Sequence, residues 1–179
     1  MDFRRLIPLG KMLLLFAVAV ALQTLLFSRV SIMGVTADLF LILTVIIAIS
    51  RGSLDGAIFG FFAGLLADIS FYQPLGMHAL IYVLTGYFVG MFVTRLGAVT
   101  PWAVFLLAAV SSFGAHFVFG LFQYIMGPRA AFLTVLAVQM IPGMVLDALV
   151  TVPLYAVLVR LRLLPASPHQ LPSTRSASE

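Results

Sequence analysis

The chain has 179 residues, of which 63% are hydrophobic and 9% charged, with a formal net charge of +4 and no cysteine. An ordinary soluble domain carries about 45–50% apolar and 25% charged residues, so this composition excludes a water-clothed globule and calls for a single membrane domain. The missing cysteine excludes disulfides, thiolate metal sites and cysteine nucleophiles, and the ten Lys and Arg residues stand singly between apolar runs, which is a topology signal and not a nucleic-acid-binding stripe.

Six apolar runs follow in chain order. The first, residues 11–27, comes after a basic leader with Arg4 and Arg5 and resembles a signal peptide. Its small residues "AVAVA" (17–21) lie inside the run, however, and more runs follow, so it reads as an uncleaved first helix. The second run, residues 35–49, is short for a span and needs residues 31–34 or a thin patch of bilayer. The third covers residues 53–71 and the fourth residues 75–94, with "SFYQPLG" turning the chain between them. The fifth, residues 101–125, has Pro101 in its first turn, where a missing N–H costs nothing. After "MGPR" the sixth occupies residues 131–159 and contains Pro142 and Pro153, which predict a kink or tilt.

The expected fold class is therefore all-α: a polytopic membrane protein of six transmembrane helices over residues 1–164. With a cytoplasmic N-terminus, Arg4, Arg5, Lys11, Arg51, Arg95, Arg160, Arg162 and Arg175 lie inside, and only Arg29 and Arg129 lie outside. Six spans return the C-terminus to the cytoplasm, where the Pro/Ser-rich residues 165–179 read as a disordered tail.

The third run carries Gly52, Gly56, Gly60 and Gly64 at intervals of four, with Asp68 next in the series, and the fourth carries Gly86 and Gly90. In lipid, apolar faces gain little by meeting, so small residues that let backbones approach take over the role of association. Gly56 and Gly60 lie at depths matching Gly90 and Gly86 in antiparallel neighbours. A row spaced by four also drifts about 40° per step, so part of it can serve the internal hairpin and part a separate protein.

Charges within spans are default functional candidates. Asp55, four residues after Arg51 in a first helical turn, reads as structural, and Asp38 reads as a helix cap. Asp68 stands at the negative pole of its helix and needs another partner. A local lock on the following turn, through Tyr72, His78 or backbone N–H groups, competes with a partner-binding role. Asp147 falls deep in the sixth run, and His116 sits at a similar depth on the fifth, so the two form a candidate intramembrane polar pair. The alternative is that each meets a hydroxyl or a backbone carbonyl separately.

No G-x-S-x-G, H-E-x-x-H or phosphate-binding loop occurs, and the intramembrane ionisable groups are too few for a proton path. The chain reads as non-enzymatic, without cofactor or metal.

"TADLFLIL" (36–43), "RGSLDGAIFGFFAGLLADISFYQPLG" (51–76) and "ALIYVLTGYFVG" (79–90) resemble the rod shape-determining protein MreD family, although Ala37 replaces the proline often found before the Asp of the second helix. The resemblance implies a bacterial inner-membrane scaffold of cell elongation. It would bind the single-span periplasmic protein MreC and act with MreB, RodA and a class B penicillin-binding protein in peptidoglycan synthesis. It also implies a bundle similar to the S components of energy-coupling-factor transporters, which supplies the alternative of a vitamin-binding protein. For that alternative, Asp68, Tyr72, Gln73, His78, Gln123 and Tyr124 are the polar residues available to an outer pocket.

Overall fold

The computed structural model describes residues 36–70, 74–96, 99–126, 140–161 and 163–164. Five helices result: α1 (Leu39–Arg51), α2 (Ser53–Ser70), α3 (Met77–Val93), α4 (Pro101–Met126) and α5 (Ile141–Arg160). There is no strand among the described residues. The helices answer to the second through sixth apolar runs. The first run, the start of the sixth (131–139) and the tail at 165–179 lie outside the described residues. Helices α2, α4 and α5 are long and apolar enough to cross a membrane, whereas α1 and α3 are shorter apolar helices.

The brevity of α1 has a physical reason. All its residues from Leu39 to Ser50 are buried, and it packs against α2, α3, α4 and α5. A helix apolar on every side belongs at the centre of an assembly. At 1.5 Å per residue it is about 20 Å long, well short of a hydrocarbon core of about 30 Å, and enclosure by other helices frees it from matching lipid thickness. The outer helices invert the pattern of a soluble protein: Phe62 on α2, Trp102 and Val110 on α4 and Leu149 on α5 are exposed, as lipid-facing side chains should be.

Helices α2 and α3 meet backbone to backbone. A Cβ added at Gly56 would lie 2.9 Å from the Gly86 carbonyl oxygen, and one at Gly60 would run into the Tyr82 carbonyl. Gly64 abuts Ala79, and Gly90 abuts Ser53. The seam is displaced by about one turn from the sequence expectation, since Gly56 faces Gly86 and Gly60 faces Tyr82. The offset holds along the hairpin, with α2 continuing to Ser70 beyond the level at which α3 begins at Met77, after a turn in which Gly76 takes φ +99°. The drift of the row also finds its second neighbour within the chain: Gly56 meets Ala48, and Gly60 meets Thr44, both on α1. Only Gly52, with φ +98°, separates α1 from α2, and this left-handed conformation lets the chain reverse in one residue.

Pro142 falls in the first turn of α5, where its missing donor is harmless, and only Pro153 lies in the helix interior.

Gly60→Ala is expected to lower stability by about 1–3 kcal/mol through overpacking of the seam. Gly114→Ala, on α4, should be neutral or slightly stabilising: Gly114 has nothing within 4 Å of an added Cβ and opens on an apolar groove of about 380 Å³ between α3 and α4. Thermal unfolding of the purified protein in mild detergent checks both, and equal effects at the two glycines would contradict the seam.

Candidate functional site

The polar side chains that join helices cluster near the starts of α1 and α3, beside the last turns of α2, the middle of α4 and the second turn of α5, while Thr44 and Ser50 lie farther along α1. Two constellations make up the cluster.

The first is a lock on the α2–α3 hairpin. Asp68 is buried in the last turns of α2. Its Oδ2 accepts the Gly76 N–H (2.7 Å), and its Oδ1 accepts the His78 N–H (2.9 Å) and the His78 Nδ1–H (2.8 Å). Three donors from the start of α3 thus replace the support that the α2 dipole cannot give a carboxylate at that end. The location of Gly76 at φ +99° directs its N–H toward α2 and begins α3 within reach of Asp68.

The second constellation ties four helices together. Asp38 caps α1, its Oδ1 accepting the N–H groups of Phe40 (3.1 Å) and Leu41 (3.2 Å). Its Oδ2 accepts the hydroxyl proton of Tyr82 from α3. The Asp38 backbone N–H donates to Asp147 Oδ1 on α5 (2.9 Å), and Asp147 Oδ2 accepts the Ser112 hydroxyl from α4. His116, one turn along α4, donates its Nδ1–H to the Ser112 carbonyl (2.8 Å), and the same nitrogen lies 4.0 Å from Asp147 Oδ2. Tyr82, Ser112 and Asp147 are each 1% exposed. Burial at that level makes hydrogen-bond completeness decisive, because an unpaired polar group here has neither water nor another donor to turn to.

His116 and Asp147 therefore stand beside each other with Ser112 between them, and Ser112 makes the shorter contact. Asp38 does more than cap its helix, since its side chain and its backbone N–H join α3 and α5 to α1. Gly56, Gly60, Gly64, Gly86 and Gly90 lie in the seam, buried against α1, α2 or α3. Asp55 forms a half-exposed pair with Arg51 at 3.8 Å. Of the residues considered for an outer pocket, Asp68 and His78 are in the lock, Tyr124 is exposed on α4, and Tyr72 and Gln73 lie outside the described residues.

Tyr82 and Ser112 escaped the reading by sequence, although a signal existed. His78, Tyr82, Gly86 and Gly90 form a row spaced by four on α3 that runs antiparallel to the row on α2, which places Tyr82 on the packing face. Ser112 and His116 share the same i, i+4 relation on α4.

Chemically, the arrangement is suited to fixing helices, and it presents no activated nucleophile. Among the described residues no set of three His, Asp or Glu groups is spaced to hold a metal ion. A family model described as rod shape-determining protein MreD matches residues 3–163 of the chain. No curated protein and no solved structure matches it.

Asp68→Ala, which strands three buried donors, is expected to cost about 1–3 kcal/mol. Asp55→Ala, which breaks only a half-exposed i, i+4 pair at 3.8 Å, should stay within about 0.5 kcal/mol. Unfolding midpoints of the two variants, measured side by side, check the contrast, and a similar loss in both would remove the lock.

Proposed function

The chain belongs to the rod shape-determining protein MreD family, and from that premise we propose that it is a non-catalytic inner-membrane scaffold of the bacterial cell-elongation machinery. In this reading it has six spans with both termini in the cytoplasm, and it binds an MreC-like single-span periplasmic protein. Through that partner it acts with MreB, RodA and a class B penicillin-binding protein in peptidoglycan synthesis.

The observation that carries the reading is the family match across nearly the whole chain. The geometry supports it in two ways. Asp38, Tyr82, Ser112 and Asp147 spend their polar groups on joining four helices near the starts of α1 and α3. The glycine row of α2 is occupied by α1 and α3, so it acts on a partner by fixing the shape of the hairpin whose lipid-facing side the partner meets. A polar cavity of about 120 Å³ among the described residues is smaller than the ~300–1,000 Å³ usual for pockets that enclose drug-sized ligands.

Pull-down of the tagged full chain in mild detergent, followed by mass spectrometry, is the test. Recovery of a single-span periplasmic protein, reduced in Gly60→Leu, is the expected result. A chain that recovers no such protein and instead carries a bound vitamin would overturn the scaffold.

A further inference from the structure

The groove of about 380 Å³ between α3 and α4 faces outward from the bundle, with Phe88 and Phe92 of α3 and Val110 of α4 exposed along it. Its α4 side is low because Ser111, Gly114 and Ala115 are small, and a Cβ added at Gly114 would meet nothing within 4 Å. The two hydroxyls in its walls are already engaged. Thr85 donates to the Ile81 carbonyl and Ser111 to the Leu107 carbonyl, each one turn back on its own helix. The groove therefore presents hydrocarbon, and a polar occupant would go unpaired.

Its width narrows the choice of occupant. On α3 the lining runs from Ile81 to Phe92, about 16 Å at 1.5 Å per residue. A volume of about 380 Å³ over that length gives a cross-section of about 23 Å², a channel about 5 Å across, whereas a helix with its side chains is about 10–12 Å across. A transmembrane helix would enter with single side chains only. One saturated hydrocarbon chain fits along the whole length.

Positive charge stands at one end of this channel. Phe88, Phe92 and Arg95 follow one another at i, i+4 and i+7, and the Arg95 N–H donates to the Phe92 carbonyl at 3.0 Å, so the backbone is still coiled where it reaches Arg95. The arginine continues the groove-lining face of α3 one turn past Phe92, and it is exposed. Among the described residues the carboxylates are engaged elsewhere: Asp38, Asp68 and Asp147 near the start of α3, and Asp55 with Arg51. Trp102, in the first turn of α4, is 73% exposed and packs edge-on against Phe105. Arg51 and Arg160 close α1 and α5 at the same end of the bundle. An exposed Trp together with arginines at helix ends marks the level where hydrocarbon gives way to headgroups.

We propose that the α3–α4 groove holds one acyl chain of an anionic phospholipid whose phosphate pairs with Arg95. The chain lies between the Phe88 and Phe92 rings and the low stretch of α4 at Gly114, and the planar guanidinium takes two phosphate oxygens by parallel charge-assisted hydrogen bonds. The site requires that the bundle lie in a bilayer, and it is independent of any protein partner.

The purified full chain in mild detergent provides the test. Native mass spectrometry compares retention of phosphatidylglycerol with phosphatidylethanolamine of the same acyl chains in wild type, Arg95→Gln, Gly114→Leu and Arg160→Gln. Thermal unfolding verifies that each variant folds; Gly114→Leu starts its side chain in open space and gains helix propensity. Wild type is expected to prefer phosphatidylglycerol. Its retention should fall about fivefold in Arg95→Gln, the worth of one arginine at a charged lipid surface, and at least as far in Gly114→Leu, which fills the groove. Arg160→Gln, on a helix that lines no part of the groove, should retain the lipid as wild type does. Equal losses in Arg160→Gln and Arg95→Gln would mean diffuse charge attraction, and unchanged retention in Gly114→Leu a headgroup held without its chain. Either result, unchanged retention in Arg95→Gln, or no preference between the two lipids in wild type overturns the proposal.

Discussion

Backbone-to-backbone approach between α2 and α3 is the contact from which the rest of the bundle takes its register. Lipid tails are as apolar as leucine, so no solvent force presses these helices together, and stabilisation must come from dispersion over many close atom pairs. Glycine makes that approach available at the cost of helix propensity. The pairings of Gly56 with Gly86, Gly60 with Tyr82 and Gly90 with Ser53 leave no space for a methyl group, and they fix both the distance and the relative height of the two helices. Because the row on α2 winds, its other flank receives Ala48 and Thr44 of α1, and the central helix is seated by the same residues that close the hairpin.

That register has consequences at the end of the bundle. With α3 held at one height, Tyr82 reaches Asp38 and His78 reaches Asp68. The α1 cap is thereby connected to α3, and through the Asp38 N–H to Asp147 on α5 and onward to Ser112 on α4. In water such a network would compete with solvent and add little; in a low-dielectric interior each bond strengthens and each omission is costly. The polar end therefore specifies the arrangement, and the glycine seam supplies the proximity that makes it reachable.

Lipid as the solvent, an all-helical fold, the apolar runs and the glycine row were legible in the sequence, because they follow from local composition and spacing, which any neighbour must respect. The same holds for the identity of the exceptional polar residues: Asp38, Asp68, His116 and Asp147 stand out in apolar runs whatever surrounds them. Their partners were not legible in the same way. Tyr82 meets Asp38 across 44 positions of sequence and Asp147 meets the Asp38 N–H across 109, and a periodic pattern says on which face a residue lies without saying which helix lies opposite.

The sequence by itself thus determined that this chain must satisfy its polar groups internally and pack through small residues, since hydrocarbon offers neither hydrogen bonds nor a driving force for association. Tertiary structure alone decided that α1 is enclosed by the other helices, that the glycine row is shared between α1 and α3, and that Asp38, Tyr82, Ser112, His116 and Asp147 form one layer. Each of these depends on the relative height and rotation of helices distant in the chain, and that is set by the sum of many weak contacts that no single segment encodes.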